Sequence, residues 1–259
     1  MVQVAVAGGT GVVGRYVVEQ LVAAGHQAKV LARATGSDLV TGAGLAEALD
    51  GVAVVVDVVN ASVSSRKKSV EFFTRTTTNL LAAEREAGVR HHVGLSIIGV
   101  DRVDFGYYMG KRRQEQLVER GDVAWTILRA AQFHEFAQQL ADRMPGPVVP
   151  VPRMRSQPVA AREVAALLVE LALATPTLGT REIAGPEVLW MPDLVRRVLR
   201  SRHSRRVVVP LRLPGAVGRG MANGELLPGD SARVGTETFS EWLGSWERTS
   251  AHGVEARLP

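Results

Sequence analysis

The chain has 259 residues, of which 46% are hydrophobic, a length and apolar content that suit one large α/β domain or such a domain with a small lobe. A formal net charge of +5 accompanies a complete lack of cysteine, which excludes disulfides, thiolate catalysis and thiolate metal sites. No apolar run approaches the ~20 residues of a membrane helix, and Met1 leads directly into the first predicted strand, so we expect no signal peptide and a cytoplasmic protein.

The first predicted unit is an apolar strand that runs into a glycine-rich turn and then into a helix. Gly9, Gly11 and Gly14 fit G-x-G-x-x-G, and Gly8, Gly11 and Gly14 fit the looser G-x-x-G-x-x-G. Glycines permit a tight turn and let backbone N–H groups approach a pyrophosphate at a helix N-terminus. In this strand–turn–helix context the pattern predicts a dinucleotide site rather than a plain turn. Its residues are Gly8, Gly9, Thr10, Gly11, Val12, Val13 and Gly14.

The second predicted strand covers residues 28–32 and ends at Arg33, without the acidic residue that usually holds a ribose 2′-hydroxyl. A carboxylate would repel a 2′-phosphate, whereas a guanidinium can pair with it and stack on adenine. Arg33 therefore favours NADP (NADPH) over NAD, with Thr35 and Ser37 as further hydroxyl donors to the same phosphate. The alternative is an ordinary surface arginine, because 27 of the 31 basic residues are arginine.

Strands and helices continue to alternate up to about residue 140. We predict strands at 52–59, 93–98 and 125–128, and helices at 45–49, 70–87 and 107–120. This alternation is typical of a doubly wound parallel sheet of the Rossmann type, with ligands at the carboxyl ends of the strands.

The pattern changes in the last part of the chain. Residues 144–158 hold five prolines, which predicts an extended or looped segment. Helices follow at about 161–174 and 192–201. We therefore predict one Rossmann domain over 1–259, in which about 144–259 forms a smaller C-terminal lobe on the substrate side.

Three residues carry the candidate chemistry. Tyr107 and Lys111 lie four apart on a predicted helix, so both side chains occupy one face, and a nearby ammonium would lower the tyrosine pKa. Such a tyrosine can give a proton to a carbonyl oxygen as hydride arrives. Ser96, near the end of the preceding strand, could polarise that carbonyl. The alternative is an amphipathic helix with a packed tyrosine and a solvated lysine, and Tyr108 competes for the acid role.

Several segments together resemble the NmrA-like, NAD(P)-binding group of atypical short-chain dehydrogenases/reductases. The resemblance spans nearly the whole chain and weakens beyond about residue 200. It rests on residues 7–14, 30–33, 56–60 and 93–99, on Tyr107-x-x-x-Lys111, and on residues 125–133 and 157–159.

The resemblance implies a role for each matched position. Residues 8–14 would hold the pyrophosphate, Arg33 the 2′-phosphate, and Asn60 would border the adenosine side. Ser96, Tyr107 and Lys111 would face the nicotinamide, with Lys111 also bonding its ribose, and Phe133 would border the nicotinamide or the substrate.

The expected function is that of an NADP(H)-dependent oxidoreductase that reduces a small carbonyl or quinone-like substrate. One departure from the superfamily is that Ser96 precedes Tyr107 by only eleven residues, slightly fewer than usual. The NmrA-like group also has members that bind the dinucleotide without catalysis, often without this tyrosine. The alternative is therefore a redox sensor that reports NADP(H) to a protein partner.

Three other clusters have simpler interpretations. His91 and His92 predict a helix-to-strand turn rather than a metal site, because neighbouring side chains diverge and no third ligand is suitably spaced. His134 and Glu135 could line a substrate pocket or begin a solvated helix. Residues 196–206 hold six arginines and His203, which favours a solvated helix face over nucleic-acid binding. The oligomeric state is not predicted.

Overall fold

The structure is a computed structural model that describes residues 1–61 and 65–251. Its contacts divide the described residues into two compact units, the first within residues 1–130 and 161–182, the second within 131–160 and 183–251. The helix after residue 160 therefore belongs to the first unit. Within the described residues, no helix is both long and apolar enough to cross a membrane.

The first unit has the predicted alternation of strands and helices, each beginning and ending within a few residues of its expected place. A single 3-10 turn, Arg33–Thr35, follows the second strand. The elements are β1 (Gln3–Ala7), α1 (Val12–Ala23), β2 (Gln27–Leu31), α2 (Leu45–Ala48), β3 (Val54–Asp57), α3 (Arg66–Ala87), β4 (His91–Ile97), α4 (Gly106–Glu119), β5 (Trp125–Ala130) and, after the excursion into the second unit, α6 (Ala161–Leu173).

The remaining elements follow β5 in the chain. They are α5 (Glu135–Arg143), β6 (Val148–Pro152), β7 (Arg155–Ser156), β8 (Gly179–Ala184), β9 (Leu189–Trp190), α7 (Met191–Ser201), β10 (Val207–Leu211), α8 (Gly215–Asn223), β11 (Arg233–Val234) and α9 (Phe239–Ala251). The proline-rich segment is extended, as predicted, and its strand β6 pairs with β10, while β7 pairs with β9.

The central sheet has seven strands in the order β11-β8-β5-β4-β3-β1-β2. Strands β1 to β5 pair in parallel, with Val4 opposite Val54 and Asp57 opposite Gly94. The chain leaves β1 toward β2 on one side and returns to β3 on the other. Sheets of this kind bind their ligands beyond the carboxyl ends of the strands at such a reversal. The predicted doubly wound α/β fold is confirmed.

Helices α1 and α6 pack together, and so do α3 and α4. The second pair approaches closely at Gly110, where an added Cβ atom would lie 2.1 Å from the Ser69 side-chain oxygen and 2.8 Å from the Ser69 backbone. The Ser69 hydroxyl also donates a hydrogen bond to the Tyr107 carbonyl at 3.2 Å. Because α3 leaves no room for a larger residue at position 110, it fixes the register of α4 and thereby the positions of Tyr107 and Lys111.

Candidate functional site

The glycine turn after β1 is closed by backbone contacts that require glycine. Gly8 has a φ of +81°, which L side chains rarely adopt. The Gly11 N–H donates to the Gly8 carbonyl at 3.0 Å. A Cβ on Gly14 would lie 2.2 Å from that same oxygen. The start of α1 therefore packs directly on the turn.

The first turn of α1 presents unpaired backbone amides at this point. Gly11 is the N-cap and has no side-chain cap, and the intrahelical hydrogen bonds begin with Arg15, whose N–H donates to the Gly11 carbonyl at 3.0 Å. The amides of Val12, Val13 and Gly14 precede it and so lack an intrahelical acceptor. Thr10 lies exposed beside them. This arrangement suits the pyrophosphate of a dinucleotide.

Arg33 lies exposed at the start of the 3-10 turn that follows β2. The hydroxyl of Thr35 serves this turn itself, since it is 2.7 Å from the Val30 carbonyl and 2.9 Å from the Ala32 carbonyl. Ser37 is buried. Of the three residues expected to contact a 2′-phosphate, only Arg33 therefore points to solvent with its polar group uncommitted in the part of the chain that the structure describes.

The Tyr107 side chain forms its hydrogen bond with the segment after β3 and not with Lys111. Its hydroxyl donates to the Asn60 Oδ1 atom at 2.6 Å. An added Cβ on Gly8 would lie 3.0 Å from the Val58 carbonyl and 3.1 Å from the Val59 nitrogen. Residues 58–60 thus lie against the glycine turn on one side and bind the candidate acid on the other. Asn60, expected on the adenosine side, accepts this bond from Tyr107.

The environment of Tyr107 corrects one expectation. Burial raises the pKa of Tyr107, and Tyr108 and Asp57 raise it further, whereas the sequence pattern predicted a lowering by Lys111. The prediction was wrong because the half-buried phenol packs edge-on against Phe73, with ring centroids 5.8 Å apart. The hydroxyl therefore keeps its proton at neutral pH.

Lys111 is buried, with 3% of its surface exposed. Its ammonium donates to the Leu95 carbonyl of β4 at 2.5 Å and to the Gln114 side-chain oxygen, and it lies 4.9 Å from the centroid of the Phe73 ring. Burial lowers the pKa of Lys111 to about 8, although Asp57 and Glu115 act in the opposite direction. Tyr107 and Lys111 share one face of α4 as predicted, but the aromatic ring of Phe73 contacts both of their side chains.

Ser96 and Tyr108 are both buried. Ser96 is 4% exposed on β4, and its hydroxyl has no hydrogen-bond partner among residues 1–61 and 65–251. A buried hydroxyl without a partner is costly and therefore suits a site that receives a polar atom. Tyr108 is 7% exposed and packs edge-on against Phe105, with ring centroids 6.0 Å apart.

Two residues that sequence reasoning missed, Asp57 and Gln114, connect Lys111 to the sheet. The Gln114 Nε2 group donates to the Asp57 Oδ2 atom at 2.7 Å, and the Val59 N–H donates to Asp57 Oδ1 at 2.9 Å. A signal existed for Asp57, since it is the single acidic residue in the valine-rich run 52–59. Gln114 had none beyond its place three residues after Lys111.

His91 and His92 form the first two residues of β4, so the predicted turn is wrong. Both are buried. His91 lies 3.0 Å from the Thr126 hydroxyl, and His92 Nδ1 lies 2.8 Å from Glu84. Burial alone would lower the pKa of His92, but the Glu84 carboxylate and Asp57 act in the opposite direction and together raise that pKa. Polar partners on α3 and β5 thus allow two histidines within a buried strand.

The remaining candidates lie in the second unit. Phe133 forms an isolated parallel bridge with Val159. His134 is 1% exposed and packs against Phe239 and Trp242, which excludes the solvated alternative for His134. Burial raises the pKa of Glu135 to about 7.

The arginine-rich segment forms α7 and the turn after it. Four apolar residues of this helix are buried: Leu194, Val195, Val198 and Leu199. Arg196 pairs with Asp193 at 2.6 Å, Arg202 pairs with Asp142, and Arg206 donates to the Ala141 carbonyl at 2.6 Å. Several of these cations therefore serve contacts within the second unit.

Comparisons with known proteins agree with this geometry. A family model described as NAD(P)H-binding matches residues 8–175. A (4-alkanoyl-5-oxo-2,5-dihydrofuran-3-yl)methyl phosphate reductase from Streptomyces griseus subsp. griseus is 31% identical over 202 residues, which cover 71% of this chain and 68% of the relative.

Solved structures share the fold at lower identity. An NADPH-dependent quinone oxidoreductase from Escherichia coli, in complex with NADPH, has a TM-score of 0.70 and 18% identity, over 94% of this chain and 99% of that one. A UDP-glucose 4-epimerase from Thermus thermophilus, in complex with NAD, has a TM-score of 0.64 and 19% identity, over 94% and 93% of the two chains. At such identities the likeness concerns the fold.

Proposed function

The chain belongs to the NAD(P)H-binding family, which confirms the resemblance to short-chain dehydrogenases/reductases, and from this premise we propose that it is an NADP(H)-dependent oxidoreductase. Its substrate is a small carbonyl or quinone-like compound. The observation that carries the proposal is the contact of the Tyr107 hydroxyl with Asn60, in the segment that also lies against the glycine turn. A proton donor and a dinucleotide cradle thus meet at one edge of the sheet.

The residues of the chain fit this cofactor. The turn at Gly8 has no room for a side chain, the first amides of α1 have no side-chain cap, and Arg33 is exposed beyond β2. The bound nicotinamide supplies hydride. Tyr107, whose burial keeps it protonated, donates a proton to the substrate oxygen, and the Ser96 hydroxyl polarises the same carbonyl.

The substrate class has support from two relatives. The Streptomyces griseus relative is a reductase of an oxygen-containing ring with an alkanoyl group, and the Escherichia coli structure is a quinone oxidoreductase. Both names describe conjugated or carbonyl-bearing small molecules. The direct experiment follows NADPH absorbance with a panel of quinones, aldehydes, ketones and unsaturated lactones. We expect consumption with at least one of them, and none in the absence of protein.

A redox sensor is the second candidate function. It is favoured by the hydrogen bond that commits the Tyr107 hydroxyl to Asn60 and by the contacts that hold Lys111 on Leu95 and Gln114. A sensor would bind NADPH without consuming it on the whole panel and would retain a protein partner only in one redox state of the cofactor. Turnover on any panel member that depends on Tyr107 would reject this alternative.

The choice of cofactor is tested by Arg33→Ala. Loss of a charged hydrogen bond costs about 1.5–3 kcal/mol, so we expect the Kd for NADPH to rise about 10- to 100-fold. The Kd for NADH should stay within about twofold, because NADH lacks the 2′-phosphate. Fluorescence titration of both cofactors measures the two constants.

Arg90→Ala is the matched control for this test. Arg90 is also exposed, but it precedes β4 and so lies at the opposite edge of the sheet. The Arg90→Ala substitution removes the same positive charge at a site away from the glycine turn. The Kd values for NADPH and for NADH should therefore both match those of the wild type. An unchanged NADPH Kd in Arg33→Ala would contradict the assignment of Arg33 to the 2′-phosphate.

A further inference from the structure

The ammonium of Lys111 is held by two oxygen atoms inside the first unit. One is the Leu95 carbonyl of β4 at 2.5 Å, and the other is the side-chain oxygen of Gln114, one turn further along α4. Both Lys111 and Gln114 are 3% exposed. A buried ammonium requires such acceptors, because an unpaired charge in this environment would be very costly.

The orientation of the Gln114 amide is determined by its other neighbour. Its Nε2 group donates to Asp57 at 2.7 Å. A carboxylate accepts hydrogen bonds and donates none, so the amide must turn its nitrogen toward Asp57 and its oxygen toward Lys111. Asp57 is itself anchored, since its second oxygen accepts the Val59 N–H at 2.9 Å. Hydrogen bonds therefore connect the Val59 backbone, through Asp57 and Gln114, to the Lys111 ammonium.

We propose that Asp57 and Gln114 are positioning residues for Lys111, with Asp57 orienting the Gln114 amide and the amide oxygen holding the ammonium against Leu95. Gln114 stands between a carboxylate and an ammonium. Its amide links the two charged groups through hydrogen bonds, in place of a direct ion pair between Asp57 and Lys111. This inference rests on the proposed function only where it concerns the reaction, since the placement of Lys111 is a property of the protein alone.

Other charged groups surround Lys111 and belong to the same electrostatic environment. Asp57 on β3 and Glu115 on α4 favour the ammonium. His92 on β4, paired with Glu84 on α3, faces the same region, and Lys111 opposes its protonation. None of these groups replaces the amide oxygen of Gln114, which is the side-chain acceptor of the Lys111 hydrogen bond.

The pKa of Lys111 tests the inference directly. The chain has four lysines, so labelling with lysine carrying ¹³C at Cε yields four side-chain signals, and Lys111→Arg identifies the signal of Lys111. In Gln114→Met we expect the Lys111 pKa to fall by about one pKa unit, a tenfold loss of proton affinity. Gln116→Met makes the same chemical change two residues later on the half-exposed side of α4, and should leave the Lys111 pKa unchanged.

Gln114→Glu tests the opposite direction of the Lys111 pKa shift. It is also a second variant for the case in which Gln114→Met does not fold. If the introduced carboxyl group is protonated it can reproduce both hydrogen bonds, and if it is ionised it adds a negative charge beside the ammonium. In either state the Lys111 pKa should equal or exceed the wild-type value. An unchanged pKa in Gln114→Met would overturn the proposal, as would equal downward shifts in the Gln114→Met and Gln114→Glu variants.

Kinetics separate this proposal from the proposed function. If Lys111 acts as an ammonium in the reaction, kcat/KM should fall above pH 8 in the wild type, and this limb should move to lower pH in Gln114→Met. A shift of the Lys111 pKa without a shift of the limb would support the positioning role and reject the part of Lys111 in the reaction.

Discussion

Tyr107→Phe is expected to remove turnover on the substrate panel while the protein still binds NADPH. The substitution deletes the hydroxyl that donates to Asn60 and keeps the ring that packs against Phe73. Loss of a general acid lowers kcat by about 10²- to 10⁴-fold. Because burial raises the pKa of Tyr107, the phenol is protonated throughout the neutral range and can act as the acid in the direction of reduction.

Tyr108→Phe is the matched control, since it removes the same atom from the next residue. Tyr108 packs against Phe105 in the interior, so this variant should keep its kcat. The measurements are NADPH consumption and the NADPH Kd for both variants. Full activity in Tyr107→Phe would reject Tyr107 as the acid. If activity were lost in Tyr108→Phe instead, the role would pass to Tyr108.

Gly14→Ala is expected to have the second large effect, on both cofactor binding and stability. The new methyl carbon would lie 2.2 Å from the Gly8 carbonyl oxygen and 2.6 Å from the Gly9 Cα atom. Both contacts are with backbone, so relief requires α1 to separate from the turn. Overpacking of this kind costs about 1–3 kcal/mol, occasionally more. We expect the Kd for NADPH to rise about 100-fold or more, equivalent to ~2.7 kcal/mol.

Gly121→Ala serves as the control for added volume. Gly121 follows α4, and an added Cβ would meet its nearest neighbours at 3.4–3.6 Å, an ordinary contact distance. Thermal unfolding and fluorescence titration should show near wild-type values for this variant. A Gly14→Ala protein with the wild-type Kd and melting temperature would show that the close packing of α1 on the turn is unnecessary for binding.

The sheet was predictable because its signals are local. Runs such as 52–59 are apolar on both faces, which is typical of a covered parallel strand, and the glycine turn identifies the first crossover. The place of His91 and His92 inside a strand was not predicted from these local signals. Their burial in β4 depends on Glu84 and Thr126, which come from other elements of the fold.

The site was predictable only in part, since the spacing of Tyr107 and Lys111 on a helix says that they share a face and nothing about what lies over it. In the fold, Phe73 of α3 packs against both side chains. The tyrosine then binds Asn60, and the lysine turns toward Leu95 and Gln114. The Tyr107 pKa therefore follows burial, Tyr108 and Asp57, which raise it, and not the predicted lowering by Lys111.

The sequence by itself determined the order of strands and helices up to about residue 140, the glycine cradle and the exposed arginine after β2, because these follow from backbone geometry and from neighbours in the chain. Only the tertiary structure decided how Asp57 and Gln114 hold Lys111. These residues are 57 positions apart in the sequence and are hydrogen-bonded at 2.7 Å. The charge of a buried group depends on which dipoles and carboxylates the fold brings to it.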